Sequence, residues 1–168
     1  AIKRANNAIQ EKGAVESTLH GMGTTTTAFY FTKKGLFVGH VGDSRGYLIL
    51  PKRIWQITRD HSLVQEKLRA GLITRAQMKT DRMKNVITRS VGFENELTVD
   101  IYQMEVHPGD FFVICSDGLS GMVDDFEIRD IVLACANDTE KAAQKLVECA
   151  NEHGGEDNVT ALVIRVDE

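Results

Sequence analysis

Four strand-like segments follow one another in residues 25–57, and the connections between them are too short to contain a helix. They are rich in β-branched and aromatic residues. They cover residues 25–32, 36–41, 45–50 and 54–57. Parallel neighbours need a crossover of a dozen or more residues, whereas antiparallel neighbours can be joined by a short turn such as Gly42-Asp43-Ser44. The sequence therefore predicts consecutive antiparallel strands.

The rest of the chain adds helices and further strands. Helical spacing of apolar residues covers residues 1–12, 124–136 and 138–153. Strand patterns return at residues 97–104, 111–115 and 158–166. We expect Gly13 to end the first helix, and Asp124 with Glu127 to form an N-terminal box for the second. Residues 158–166 are apolar on both faces, which favours a central, covered strand. The fold class is α+β, with antiparallel sheets covered by helices, in a single domain over residues 1–168.

Residues 62–90 differ from both neighbouring regions because they are polar and basic. Leu63, Leu68 and Leu72 are spaced for short helices, and Thr74 with Gln77 predicts a capping box. We expect this segment to lie on the surface of the domain and not in a sheet.

Composition excludes several classes of protein. The 168 residues carry a net charge of −4, which argues against a nucleic-acid-binding surface. The longest apolar runs are too short to span a bilayer. The three cysteines Cys115, Cys135 and Cys149 have no Cys-x-x-Cys or His-x-x-x-His pairing that would indicate zinc. They are expected to be free thiols in a reducing compartment, so we predict a cytoplasmic protein.

Three acidic residues stand where strands give way to turns. Asp117 follows the apolar strand at 111–115, Asp157 precedes the last strand, and Asp43 follows the strand at 36–41. Clustered carboxylates repel one another unless a cation is present, and oxygen-only ligands suit Mg²⁺ or Mn²⁺. The alternative is that each aspartate is a turn former, since Asp-Gly and Asp-Asn are common turn pairs. Spacing alone does not decide between these interpretations.

Seven segments resemble, in order, motifs of the metal-dependent serine/threonine protein phosphatases of type 2C, in particular the bacterial branch. They are Gly21-Met22-Gly23-Thr24-Thr25, His40-Val41-Gly42-Asp43-Ser44-Arg45, Thr58-Arg59-Asp60-His61-Ser62, Asn85-Val86-Ile87-Thr88-Arg89-Ser90-Val91-Gly92, Pro108-Gly109-Asp110, Cys115-Ser116-Asp117-Gly118-Leu119 and Gly154-Gly155-Glu156-Asp157-Asn158-Val159-Thr160. One motif alone would be a weak signal, whereas seven in order over the whole chain are not a chance pattern.

The resemblance implies a β-sandwich with a dinuclear Mg²⁺ or Mn²⁺ centre at one end. In that family a water that bridges the two ions attacks the phosphate of phosphoserine or phosphothreonine. Asp117 and Asp157 match ligands of the second metal ion. Asp43 matches a residue that, with Asp117, binds a third and more weakly held ion. Asn158 resembles a residue that orients Asp157.

The same resemblance makes residues 62–90 the flap beside the active site, where substrate selection is expected. Its basic side chains Arg75, Lys79, Arg82 and Lys84 would meet acidic or phosphorylated protein surfaces. The alternative is a merely solvated pair of helices. The implied partners are phosphorylated proteins and a cognate serine/threonine kinase with its substrates. No nucleic acid and no membrane span are expected.

The chain departs from the family pattern in one respect. The family has an Arg-x-x-Asn-Glu-Asp type segment, which supplies a phosphate-binding Arg, and an Asp-Gly-x-Gly-Gly-His segment, which supplies the bridging Asp. Neither segment occurs in these residues. The chain is therefore interpreted as the C-terminal two-thirds of a phosphatase domain that lacks N-terminal strands. By itself it is expected to be inactive and prone to self-association through open sheet edges.

Two other interpretations stay open. One is a non-catalytic regulatory or binding module on the phosphatase scaffold, which the missing bridging Asp favours. The other is an unrelated metal hydrolase. Asp43, Asp117 and Asp157 favour an enzymatic parent, because a pure binding module has no use for three carboxylates at one rim.

Overall fold

The structure, a computed structural model, describes residues 1–167 and has six α-helices, one short 3-10 helix at Ser17–Leu19 and seven strands in that range. The helices are α1 Ile2–Val15, α2 Leu63–Arg69, α3 Arg75–Met78, α4 Asp117–Ser120, α5 Asp125–Ala134 and α6 Thr139–Glu152. The strands are β1 Thr26–Thr32, β2 Gly35–Val41, β3 Arg45–Leu50, β4 Arg53–Gln56, β5 Asp100–Met104, β6 Phe111–Cys115 and β7 Ala161–Arg165. This mixture of helices and antiparallel sheet confirms the α+β prediction.

The chain divides into two compact units. The first comprises residues 1–31, 37–43 and 60–103, and the second comprises residues 32–36, 44–59 and 104–168. The prediction of a single domain with a flap at residues 62–90 stays a prediction. Within the described residues, no helix is long and apolar enough to cross a membrane.

The second unit is built on a four-stranded sheet in the order β4-β3-β6-β7, with antiparallel pairing throughout. Helix α6 begins where the Asp138 side chain accepts a hydrogen bond from the backbone N–H of Lys141. Its residues Ala142, Leu146 and Ala150 recur at helical spacing on one face and are fully buried. They join side chains of α5 and of the sheet in one apolar core.

The first unit holds a three-stranded sheet in the order β1-β2-β5. A smaller core of Val41, Val91 and Leu97 lies in this unit, with Ile2 and Ile9 of α1 packed against it. Helix α1 is also fixed by polar contacts. The buried amide of Asn6 accepts from the N–H of Gly92 at 2.7 Å and donates to the carbonyl of Glu94 at 2.8 Å.

Several predicted elements need correction. Helix α1 does not end at Gly13 but continues to Val15. A Cβ at this buried glycine would lie 3.1 Å from the carbonyl oxygen of Leu19, so close approach and not helix termination explains it. Residues 42–44 do not form a hairpin, because β2 and β3 belong to different sheets.

The last strand was predicted as central, and this was wrong. Strand β7 lies at the edge of its sheet, and β6 is the covered strand, with Phe112 and Val113 fully buried. Along β7 only Val163 is buried, whereas Leu162 is 51% exposed. Apolar residues on both faces of this short strand therefore did not indicate whether it is central or at the edge of the sheet.

Two predicted capping motifs had different outcomes. Thr74 and Gln77 form the capping box at the start of α3, as predicted. Asp124 makes no side-chain capping bond at the start of α5. Glu127 instead accepts a hydrogen bond from the thiol of Cys149, so its side chain is drawn to α6 and not back to the helix start.

Candidate metal and phosphate site

The end of strand β6 is fastened to the segment before β7 by a single hydroxyl. Ser116 Oγ donates to the carbonyl of Asn158 and accepts from the N–H of Thr160, both at 3.0 Å. The backbone N–H of Ser116 also donates to the carbonyl of Thr160 at 3.1 Å. These bonds extend the β6–β7 pairing beyond the strand ends. They therefore fix the position of the main chain immediately before Asp117.

Asp117 opens α4 and is followed by a glycine that sterics require. A Cβ on Gly118 would lie 2.4 Å from the carbonyl oxygen of Asn158 and 2.9 Å from its carbon. Main chain cannot give way as a flexible side chain can, so only glycine lets the two segments approach. The Asp117-Gly118 pair is thus more than a turn signal: it brings Asp117 next to the Asp157-Asn158 segment.

Asp157 is exposed and is oriented by its own neighbour. Its Oδ1 accepts a hydrogen bond of 2.7 Å from the backbone N–H of Asn158. The sequence predicted that Asn158 orients Asp157, and the contact that the structure shows runs through the Asn158 main chain. That role of the Asn158 side chain stays a prediction.

Asp43 lies in the first unit, in a turn built on a histidine. Gly42 has φ +112°, and a Cβ there would lie 2.4 Å from Thr25 Cγ2. The N–H of Gly42 donates to Nδ1 of His61 at 3.0 Å, and the N–H of His61 donates back to the Gly42 carbonyl at 2.7 Å. The position of the half-buried Asp43 therefore depends on this reciprocal pair.

The two ring nitrogens of His61 have different neighbours. A backbone N–H can only donate, so Nδ1 accepts from Gly42, whereas Nε2 lies 3.0 Å from Nη1 of Arg89. Nε2 lies 3.3 Å from Oδ2 of Asp100, and Nη1 of Arg89 lies 2.8 Å from Oδ1 of the same carboxylate. Burial lowers the pKa of His61, and the nearby Arg89 adds to this, whereas the Asp100 hydrogen bond opposes it.

Asp100 completes this polar network. Burial by itself would raise the pKa of Asp100, but hydrogen bonds from Arg89 and His61 outweigh it and hold that pKa below its usual value. The His61 ring also lies 4.9 Å from that of the fully buried His40, centroid to centroid. The sequence did not reveal this network, since Arg89 is 28 residues from His61.

The flap segment is closed at its base and basic on its surface. The N–H of Leu63 donates to the carbonyl of Val86, and the N–H of Thr88 donates to the carbonyl of His61. Within it, Nζ of Lys67 lies 2.9 Å from Oδ2 of Asp81. The four predicted substrate-facing side chains are all exposed: Arg75, Lys79, Arg82 and Lys84.

The donors present fit a hard divalent cation. Asp117 and Asp157 offer carboxylate oxygens, each partly or fully open to solvent, at neighbouring strand ends of the second unit. Oxygen ligands of this kind suit Mg²⁺ and Mn²⁺. Asp43 offers a third carboxylate in the first unit. The assignment of these three acids as ligands stays a prediction.

A different set of side chains forms the closest potential ligand group among residues 1–167. In the described part of the chain, the only group of three or more whose ligand atoms all lie within 4.8 Å of one another is Glu127, Cys149 and His153. Burial and the carboxylate of Glu127 raise the pKa of Cys149 to about 11. The sequence analysis missed this group, although Cys149-x-x-x-His153 places both side chains on one helix face.

Comparison with known proteins gives a consistent result. Residues 2–159 match the family model described as Protein phosphatase 2C. The chain is 38% identical over 163 residues to the serine/threonine phosphatase stp of Listeria welshimeri. The aligned residues make up 97% of this chain and 64% of that protein. The chain therefore spans less than two-thirds of the length of this relative.

Solved structures agree with the sequence matches. The crystal structure of the serine/threonine phosphatase Stp1 from Staphylococcus aureus has a TM-score of 0.93 at 29% identity, covering 99% of this chain and 65% of that one. The catalytic domain of the serine/threonine protein phosphatase PstP in complex with two manganese ions has a TM-score of 0.87 at 36% identity, covering 97% and 67%.

Proposed function

Because this chain belongs to the protein phosphatase 2C family, we propose that the protein containing it hydrolyses phosphoserine and phosphothreonine in other proteins with bound Mg²⁺ or Mn²⁺. The observation that carries the proposal is the close approach of Gly118 to Asn158, which sets Asp117 beside the segment of Asp157. The manganese in the PstP structure supports the metal requirement.

The roles of the chain's own residues follow from their chemistry. Asp117 and Asp157 would hold a divalent ion through carboxylate oxygens, and Asp43 with Asp117 a further, weaker one. Bound ions would supply a water of lowered pKa and neutralise charge on the phosphoryl oxygens. Ser116 and Gly118 keep the two carboxylate-bearing segments at a fixed separation.

The proposal is tested on the longest form that the gene encodes, with an aryl phosphate and a phosphothreonine peptide as substrates. Asp117→Asn should lower turnover by orders of magnitude, since a metal ligand is lost. Asp130→Asn is the matched control, because Asp130 is an exposed carboxylate paired with Arg129 on α5. Near-normal turnover by the Asp117 variant would show that the ligand assignment is wrong.

We further propose that these 168 residues by themselves bind Mn²⁺ weakly and turn over little substrate. Three carboxylates can hold an ion with several waters, but two-metal catalysis needs a carboxylate that bridges ions about 3.5–4 Å apart. Calorimetric titration with Mn²⁺ and turnover of an aryl phosphate are the measurements. Tight binding of two ions with robust turnover would mean that another acid, such as Asp60 or Glu156, acts as the bridge.

The flap is proposed to contact the phosphoprotein and not to take part in the chemistry. Replacing Arg75, Lys79, Arg82 and Lys84 together with alanine should reduce turnover of a phosphoprotein and spare a small aryl phosphate. A matched control removes the same charge from four other exposed residues: Lys3, Lys12, Lys33 and Lys34. Equal losses on both substrates would contradict a docking role.

The alternative, a non-catalytic module on this scaffold, predicts binding of phosphoproteins without turnover in the longest form at any Mn²⁺ concentration. The partner kinase, the cytoplasmic location and self-association stay predictions from the sequence.

A further inference from the structure

Helices α5 and α6 bring three side chains of different chemistry to one place in the second unit. Glu127 is in the first turn of α5, whereas Cys149 is in the last turn of α6 and His153, four residues on, is the C-cap of that helix. Residues at this spacing project from the same helix face. Their ligand atoms Oε1 or Oε2, Sγ and a ring nitrogen all lie within 4.8 Å of one another.

The core beneath the three side chains fixes their positions. Ile128 follows Glu127 in the chain and Ala150 follows Cys149, and both are fully buried in the same apolar core. A carboxylate and a thiol that stand on packed helices lose little freedom when they bind an ion together. The cluster itself is open to solvent, since the side chains of His153 and Glu127 are 42% and 43% exposed.

The observed distances approach those of a tetrahedral zinc site. Sγ of Cys149 lies 3.5 Å from Oε1 of Glu127, and Nε2 of His153 lies 3.9 Å from the same oxygen. With metal–ligand bonds of about 2.0–2.3 Å, the edges of such a tetrahedron are about 3.5 Å long. The sulfur–oxygen edge already fits, and the nitrogen–oxygen edge is a few tenths of an ångström too long.

The tautomer of His153 provides an independent argument. Its Nδ1 lies 3.0 Å from the carbonyl oxygen of Met122. A carbonyl can only accept, so Nδ1 carries the proton, and in the neutral ring Nε2, which lies 3.9 Å from Oε1 of Glu127, has the lone pair. Metal-binding histidines typically donate their other ring N–H to a carbonyl or carboxylate in this way.

We propose that Glu127, Cys149 and His153 bind one zinc-type transition metal ion, with water completing the coordination, and that this ion links α5 to α6. A thiolate and an imidazole favour Zn²⁺ over the hard ions Mg²⁺ and Mn²⁺. Three protein ligands with one open position are typical of an exposed zinc site. The site uses none of the acids in the proposed phosphatase function and does not depend on it.

The competing interpretation is a metal-free surface network. In it the thiol of Cys149 donates to Glu127, and a protonated His153 forms a long ion pair with the same carboxylate. Such exposed pairs contribute little to stability. The two interpretations differ in whether added metal acquires a thiolate ligand.

Titration of the protein with Co²⁺, a spectroscopic substitute for Zn²⁺, distinguishes them. We expect a thiolate-to-cobalt charge-transfer band in the near ultraviolet and intense visible absorption typical of four-coordinate cobalt. Cys149→Ser should abolish the near-ultraviolet band, and Glu127→Gln or His153→Gln should weaken binding by at least about tenfold. Zn²⁺ should displace the cobalt and raise the thermal unfolding midpoint of the unsubstituted protein but not that of the Cys149 variant.

His107→Gln is the matched control, because His107 is an exposed imidazole near the carboxylates of Glu105 and Asp110, without a thiol. It should leave the cobalt spectrum unchanged. Asp117→Asn should also leave it unchanged, which separates this site from the proposed phosphatase ligands. A cobalt complex without the thiolate band, or a band that survives in the Cys149 or His153 variant at equal affinity, would overturn the proposal.

Discussion

The turn that carries Asp43 and the turn that carries Asp117 are built by different means. In the first unit, Gly42 exchanges two hydrogen bonds with His61, and His61 is held in turn by Asp100. In the second unit, the main chain at Gly118 packs directly on the main chain of Asn158, and the hydroxyl of Ser116 donates a hydrogen bond to the Asn158 carbonyl. The turn at Asp43 therefore depends on a titratable histidine, whereas the turn at Asp117 depends on the steric fit of two main-chain segments.

Gly42 and Gly118 are also required for different reasons. Gly42 has a positive φ and also lies against Thr25, whereas Gly118 has no positive φ and is constrained by contact alone. Substitution at each position consequently tests a different combination of backbone strain and steric overlap.

The largest loss of stability is expected for Gly42→Ala. A side chain at φ +112° costs about 1–3 kcal/mol of backbone strain. Overlap with Thr25 adds about 1–3 kcal/mol. Denaturant unfolding should therefore show a loss of about 2–6 kcal/mol. Gly71→Ala is the control, since Gly71 has φ +70° with no atom within 4 Å and so reports the strain without the overlap. Equal losses of unfolding free energy in both variants would mean that Thr25 can move away from the new Cβ without a cost in stability.

Gly118→Ala should be the next most damaging. Its Cβ would lie 2.4 Å from the Asn158 carbonyl oxygen, and relief requires moving main chain, so we expect a loss of about 1–3 kcal/mol in unfolding free energy. Gly23→Ala is a control, because Gly23 has no positive φ and a Cβ there would lie 3.2 Å from the Ser90 hydroxyl and 3.3 Å from the Val91 carbonyl oxygen, without the 2.4 Å overlap. A Gly118 variant as stable as the Gly23 variant would show that the two acid-bearing segments are not tightly held.

Local sequence signals account for much of the second unit. The bounds of β6 were predicted correctly because an apolar run at residues 111–115 is enclosed by a Pro-Gly-Asp turn and an Asp-Gly pair. The acids at the strand ends were visible for the same reason. The edge position of β7 was not predictable, because it depends on which strand pairs with β6 and not on the composition of β7 itself.

The contacts that hold the acids were also beyond local reasoning. Ser116 meets its partners 42 and 44 residues away. A serine before Asp-Gly carries no signal of such a bond, and a histidine in Asp60-His61-Ser62 carries none of its bond to Gly42. Sequence patterns thus located the candidate ligands, whereas the groups that fix them depend on tertiary structure.

Ser116→Ala, at the second turn, should have a smaller effect than either glycine substitution. It removes two hydrogen bonds and leaves the Asn158 carbonyl and the Thr160 N–H to bind water, which costs about 1–2 kcal/mol. Ser120→Ala is the matched control four residues along, where the structure shows no side-chain hydrogen bond within residues 1–167. Equal unfolding free energies for the two variants would argue against the role of the Ser116 hydroxyl.

The smallest effect is expected from pH, and it should be confined to the first turn. Burial holds the pKa of His61 below its ordinary value of about 6.5. As pH falls through about 6.5, the unfolded chain takes up a proton before the folded chain does, so the free energy of unfolding decreases until the lower folded pKa is reached. Above that range the contribution of neutral His61 is complete. Asp100, whose pKa is also lowered, loses its contribution only at more acidic pH.

His61→Asn isolates the pH-dependent contribution of His61 to the free energy of unfolding. The asparagine Oδ1 can still accept from the Gly42 N–H, but the amide does not titrate. Urea unfolding at a series of pH values should show a steeper decline below about pH 6.5 for the unsubstituted protein than for the variant. The other histidines are common to both proteins and cancel in the difference. The charged groups around the ring, Arg89, Asp60 and Asp100, are retained as well. Parallel pH profiles would show that His61 is not the titrating group, and the distinction between a titratable turn and a steric one would then fail.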